Sequence, residues 1–266
     1  MSIRQLLIGV AMIASSTASA QEPVRVFAAG SLRAAMTEMA QSFTAAGGVA
    51  VNPTFGASGL LRERIEKGEG VDVFASADVG NALALARAGR AAPPVVFARN
   101  RLCALVAPGI DATSDTLLDR MLDPRVKLGT STPKADPSGD YAWLLFEKAD
   151  KLRAGAYAIL DKKALKLTGG ADSPPPPPGR SLYGMLIGDG KADIFLTYCT
   201  NALDAVREIA GARLVALPDT LAVGATYALT VLTPARAGAD RFALYVMSMP
   251  GQEIMTRNGF AAVASP

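Results

Sequence analysis

The sequence predicts an α/β fold of two lobes, each a mostly parallel sheet flanked by helices, with a ligand cleft between them. Three observations carry that expectation. Short apolar runs alternate with segments of helical spacing, the pattern of βαβ units and right-handed crossovers. The alternation occurs on both sides of an apolar strand at Arg101–Ala107 that stops at Pro108-Gly109. Serines also recur where helical segments begin, at Ser31, Ser58, Ser138 and Ser181.

Met1 to Ala20 reads as an export leader: Arg4 is the positive end, Leu6–Ala14 the apolar stretch, and Ala18-Ser19-Ala20 a small-residue cleavage site, with the cut after Ala20. The apolar stretch is too short to span a bilayer. The mature chain is then expected to be exported, with residues 21–102 forming the first part of lobe 1, 103–227 forming lobe 2, and 228–266 returning to lobe 1. Half of the chain is apolar and 19% is charged, the composition of a globular protein. The net charge of +3 comes without a basic stripe, which argues against nucleic acid as a partner.

Strands are expected at Val24–Ala28, Val49–Phe55 and Val71–Ala75. After the first, Leu32, Met36, Met39 and Phe43 recur at intervals of four, three and four, one face of a helix. After the second, Leu60, Leu61 and Ile65 mark a shorter helix, and Asp78 is a good N-cap for a helix at Val79–Ala88. The second half predicts a short helix at Thr116–Met121, a strand at Val126–Gly129 and a turn-rich loop at Thr132–Tyr141. Helices are expected at Ala142–Lys148 and Leu152–Leu165. The run Pro174–Pro178 is stiff and cannot join a ladder, so it reads as an exposed loop. A helix at Ser181–Ile187, strands at Ala192–Tyr198, Arg213–Leu217 and Tyr227–Leu232, and two closing helices complete the chain.

In such sheets ligands bind beyond the carboxyl ends of the strands, where Ser31 and Ser58 fall. The first turn of a helix carries unpaired N–H groups and partial positive charge, which favours anions. Serine is also a preferred N-cap, so each hydroxyl has a purely local use to weigh against a ligand role. Two serines at two strand-to-helix junctions, beside Gly30 and Gly56-Ala57, favour an oxyanion receptor. The chain has no histidine, which excludes a Ser-His-Asp triad, and Gly56-Ala57-Ser58-Gly59 lacks the G-x-S-x-G spacing of a nucleophile elbow. No enzyme activity is expected, a serine-dependent hydrolase being the distant alternative. The two cysteines, Cys103 and Cys199, are expected to pair because the leader points to an oxidising compartment.

Ala28-Ala29-Gly30-Ser31-Leu32, Phe55-Gly56-Ala57-Ser58-Gly59-Leu60 and Asp72–Asp78 resemble the periplasmic molybdate-binding proteins, the receptors of molybdate ABC importers. Asp136–Ala142 and Ala192–Tyr198 are weaker matches. The resemblance implies a periplasmic-binding-protein fold, no cofactor or cation site, and molybdate or tungstate held as an oxyanion for an inner-membrane ABC permease by a monomeric receptor. It implies side-chain donors at Ser31, Ser58 and Tyr198. It further implies backbone donors near Ser138, Gly139, Asp140 and Tyr141, and near Ser181. The segment from Leu167 to Arg180 departs from the family pattern, and Arg180 would add a charge there. The alternatives are sulfate, phosphate or a carboxylate in the same fold, ferric iron on Tyr183 and Tyr198, and a protein contact through the proline run.

Overall fold

The computed structural model describes residues 21–174 and 179–263. The leader with its cleavage site and most of the proline run lie outside the described residues. Strand β1 (Val24–Ala29) passes through a 3-10 turn at Gly30–Leu32 into helix α1 (Arg33–Ala45), followed by β2 (Val51–Gly56), α2 (Ser58–Glu66), β3 (Val73–Ser76) and α3 (Val79–Arg87). Strand β4 (Val95–Val106) leads to α4 (Leu117–Leu122), β5 (Leu128–Ser131), α5 (Pro137–Leu152), α6 (Ala156–Lys163) and β6 (Leu165–Thr168). Then come α7 (Leu182–Gly188), β7 (Ile194–Tyr198), α8 (Cys199–Glu208), β8 (Arg213–Ala216) and β9 (Gly224–Val231). Helices α9 (Ala239–Met247) and α10 (Met249–Arg257) and the short β10 (Ala261–Ala262) close the described chain.

The strands run in the order β2-β1-β3-β9-β4-β7-β5-β6, with β8 and β10 also paired to β4. Strands β2, β1 and β3 are parallel, as are β6, β5 and β7, so each half carries a parallel core. The halves meet through antiparallel pairs on β9 and β4. Strand β4 starts earlier than Arg101. Its residues from Val95 to Arg101 pair with β9, and those from Leu102 to Val106 pair with β7 and β8. The polar trio Arg99-Asn100-Arg101 hides this in the sequence, because the strand there is held by its ladder with β9, joined at Arg99 by β10, and not by burial.

Helix α1 buries the face read from the spacing: Leu32, Met36, Met39 and Phe43 are all buried. Phe43 meets Phe242 and Tyr245 at 5.4 Å each, which docks α9 on the same face. Asp78 caps α3 by accepting the Asn81 N–H at 2.6 Å. Two expectations need correction, and one helix was not expected at all. Helix α5 begins at Pro137, so Ser138 to Tyr141 form its first turn and not a loop; Asp136 is its N-cap and Pro137 suits the first helical position. The helix expected at Leu152–Leu165 breaks at Gly155, which has φ +85°, and its end becomes β6, pulled into the sheet by β5. The amphipathic α8 follows β7 without a loop, burying Cys199, Ala202 and Ala205.

Cys103 and Cys199 are disulfide-bonded with Cα atoms 4.9 Å apart. The bond fastens the second half of β4 to the first residue of α8, next to Tyr198. The sequence separation is 96 residues, and closing a loop of that length removes much unfolded-chain entropy. We expect reduction to lower stability by up to about 4–5 kcal/mol. Denaturant unfolding with and without reductant, alongside thiol counting on unfolded protein, checks this; two free thiols before reduction would overturn it.

Candidate ligand-binding cleft

A cleft of about 330 Å³ opens where β1 and β2 end, facing β7 and the starts of α7 and α8. Ser31, Ser58, Tyr198 and Ser181 all border it, as do Asp136 and Thr168. The strand-to-helix junctions of both halves thus converge on one space, although Ser31 and Tyr198 are far apart in the chain.

Neither Ser31 nor Ser58 caps its own helix; the cap positions belong to Ala29 and Ala57. Each hydroxyl instead has a partner behind it. Ser58 Oγ accepts the Ala77 N–H at 3.1 Å. Ser31 Oγ lies 2.8 Å from the Tyr227 hydroxyl. Asn100 Nδ2 donates to Thr200 Oγ1 at 3.0 Å and to the Tyr227 hydroxyl at 3.5 Å. A hydroxyl owns one proton. The Ser31 and Tyr227 hydroxyls share one hydrogen bond, in which either can donate, and Asn100 approaches the Tyr227 oxygen from a third side. Ser58 is determinate: its oxygen accepts from Ala77, so its own proton stays available to another acceptor.

The Tyr198 hydroxyl is buried without a hydrogen-bond partner. Burial, followed by the Tyr227 phenol, holds its pKa well above the ordinary phenol value, so it is a donor at any physiological pH. Burial also pushes Tyr227 and Tyr183 up, and Tyr141 to about 12. The aromatic shell is close: Tyr198 stands 5.6 Å from Tyr227 and 6.2 Å from Tyr141 between ring centroids.

The second half of the expected site is arranged differently. Ser138, Gly139, Asp140 and Tyr141 do not border the cleft. The Ser138 N–H donates to Asp136 Oδ1 at 3.0 Å, and the Gly139 N–H to the Asp136 carbonyl at 2.8 Å. Asp140 Oδ1 accepts the Lys134 N–H at 2.8 Å, and the Tyr141 hydroxyl donates to the Ala77 carbonyl at 3.4 Å. At Ser181 the side chain caps α7 by accepting the Gly184 N–H at 3.1 Å, while its own N–H is taken by Glu208 Oε2 at 2.7 Å. Arg180 borders the cleft, but Nε donates to Glu208 Oε1, so its charge is already paired. Asn100, Asp136 and Tyr227 escaped sequence reading. Asp136 before Pro137 has the form of an N-cap, a local signal; nothing local marks Tyr227, 196 residues from Ser31.

The two halves touch at the rim. The Gly59 N–H in α2 donates to the Ala135 carbonyl at 2.9 Å, just before α5. A β-carbon on Gly59 would stand 2.5 Å from the Lys134 carbonyl oxygen and 2.7 Å from that of Ala135.

Two parallel-stranded halves around a cleft walled by hydroxyl donors define a solute-binding protein. The chain belongs to the bacterial extracellular solute-binding protein family, whose model matches residues 24–261. An uncharacterised protein of Pasteurella multocida is 36% identical over 211 residues, 79% of this chain and 87% of that one. The molybdate-binding protein ModA of Mycobacterium tuberculosis is 28% identical over 263 residues, 93% of this chain and 89% of the relative. Among solved structures, the periplasmic molybdate-binding protein of Azotobacter vinelandii superposes with a TM-score of 0.74 at 18% identity, covering 91% of this chain and all of that one. The last likeness is one of fold.

Gly59→Ala is expected to push the start of α2 off the Lys134–Ala135 backbone and cost about 1–3 kcal/mol, the usual range for overpacking. A thermal unfolding midpoint unchanged from the parent would refute this contact.

Proposed function

We propose that this protein captures a tetrahedral oxyanion, molybdate or tungstate, in the cleft and delivers it to an inner-membrane ABC permease. In this reading the leader is cut after Ala20 and the mature chain works as a periplasmic monomer. Ser31, Ser58 and Tyr198 are the side-chain donors. The observation that carries the reading is that Ser31 and Ser58 are each engaged from behind, and Tyr198 is buried with its proton unused. Hydroxyls that border one space suit a fully ionised oxyanion, because hydrogen bonds to a charged acceptor are roughly twice as strong as neutral ones. The molybdate-binding relative matched over 93% of the chain supports the choice of anion.

Ferric iron on Tyr183 and Tyr198 is disfavoured, since iron takes phenolates and burial raises both phenols. The cleft volume favours a second reading. The cleft, about 330 Å³, has room for more than one tetrahedral oxyanion. A phosphate carried on a small organic acid would use the remainder.

Calorimetric titration with molybdate, tungstate, sulfate, phosphate and a phosphate monoester tests both. The expected outcome is near-equal, tight binding of molybdate and tungstate, whose size and charge are nearly the same, and much weaker binding of sulfate, which is smaller. Tight sulfate or monoester binding without molybdate would overturn the first reading.

Ser31→Ala and Tyr198→Phe should each weaken oxyanion binding by about 1.5–3 kcal/mol, the worth of a hydrogen bond to a charged group. Ser58→Ala should do the same and also lower ligand-free stability by about 1–3 kcal/mol, because the buried Ala77 N–H loses its acceptor. Titration and thermal melts on the same variants separate the two effects.

A further inference from the structure

Asp136 is the exception on a wall of donors. Asp136 borders the cleft together with Ser31, Ser58 and Tyr198. Oδ1 accepts the Ser138 N–H, the donor that the first turn of α5 would otherwise offer to a ligand. Oδ2 is held against Gly169, whose β-carbon, were there one, would stand 2.7 Å from it. Gly169 has φ +76°, so the backbone there turns back over the carboxyl. Among the described residues no lysine or arginine pairs with Asp136. A second carboxyl, Asp204, also borders the cleft, but it lies on α8 with Arg207 3.3 Å away.

An anion entering this space meets a carboxyl of which Oδ1 alone holds a backbone hydrogen bond, with the Ser131 hydroxyl as its nearby side-chain neighbour. Two oxygens that both only accept cannot share a hydrogen bond, and two negative charges in contact repel. One proton placed between them turns the contact into an O–H···O⁻ bond, a short and strong type.

We propose that the cleft takes up its oxyanion together with one proton, held between Asp136 and the ligand oxygen that faces it. The proton comes from solvent, and no other bond changes. This rests on the oxyanion reading above and adds a selection rule to it: fully ionised anions such as molybdate and sulfate must bring a proton from water, whereas hydrogen phosphate or the monoanion of a phosphate monoester arrives with its own. Asp136 is thus a specificity-determining residue of the site.

The groups around Asp136 agree. Burial raises its pKa to about 6, with the Asp140 and Asp78 carboxylates adding repulsion, while the Ser138 N–H and the nearby Ser131 hydroxyl oppose the rise. From α7 and β7 it faces the Tyr183 and Tyr198 phenols, which stay protonated. Arg33 and Arg180 border the same cleft as charged groups, Arg180 paired with Glu208. The sign follows. At low pH Asp136 already holds its proton in the free protein, so binding takes up none. Above about 6 the free protein has lost that proton and must regain it on binding. The affinity for a fully ionised anion then falls up to tenfold per pH unit.

The test is molybdate titration of the mature protein from about pH 6.5 to about pH 8.5, in pairs of buffers with different ionisation heats so that protons are counted. The parent protein should take up close to one proton at the alkaline end and lose about 50–100-fold in affinity across the range. Asp136→Asn keeps an N-cap acceptor for Ser138, and it should bind with less than about twofold variation, no proton uptake, and tighter than the parent at the alkaline end. The proton count on the parent needs no variant, so poor folding of Asp136→Asn does not blunt the test. Molybdate binding with flat affinity and no proton uptake overturns the proposal and leaves the oxyanion reading intact. The same fall in Asp136→Asn as in the parent also overturns it, assigning the proton to Asp204. Absence of binding by any oxyanion at every pH removes both readings together.

Discussion

The positions of the cleft groups depend on one strand that belongs to both halves of the sheet. Strand β4 gives its first seven residues to β9 and its last five to β7 and β8. A backbone hydrogen-bonded along both edges cannot slide, because a slip of one residue would turn every side chain to the other face. The strand carries Asn100, which donates to Tyr227 and Thr200, and Cys103, which is bonded beside Tyr198. Both walls of the cleft are therefore referred to the same piece of chain.

The two cleft serines are each held by a hydrogen bond to the protein. Ala77 donates to Ser58, while Ser31 shares a hydrogen bond with Tyr227, which Asn100 also contacts. This arrangement is expensive to leave incomplete, since a buried polar group without a partner costs about 1–3 kcal/mol. The Tyr198 hydroxyl sits in that unpaired state beside the cleft, and the Ser131 and Ser138 hydroxyls are also buried without partners. A ligand that accepts from Tyr198 removes one such cost, so part of the affinity is prepared before binding.

The two walls differ in chemistry. The wall from β1 and β2 offers neutral donors and the Arg33 guanidinium, which lies over the Phe55 ring at 4.6 Å. The opposite wall brings Asp136 and Asp204, and its one flanking cation, Arg180, is spent on Glu208. Glu208 also takes the Ser181 N–H, so the start of α7 is already satisfied by an internal carboxylate. The same device appears at α5, where Asp136 takes the Ser138 N–H. Internal acids thus stand at both helix starts where the family resemblance led us to expect donors to the ligand.

Local pattern determined a great deal. The period of four, three and four after Ser31 specified which face of α1 is buried, since a helix repeats its faces at that interval whatever it packs on. Alternating strands and helices specified parallel cores, because a right-handed crossover has few other solutions. The two serine junctions were legible for the same reason: strand ends and helix starts are short-range features. Tertiary structure alone decided that neither serine caps its helix and that Tyr227 and Asn100 stand beside Ser31. It also decided that Arg180 is neutralised by Glu208. Those outcomes turn on contacts between residues from 19 to 196 positions apart, and hydrogen-bond partnership at such separations is set by how sheets and helices dock, which no local spacing records.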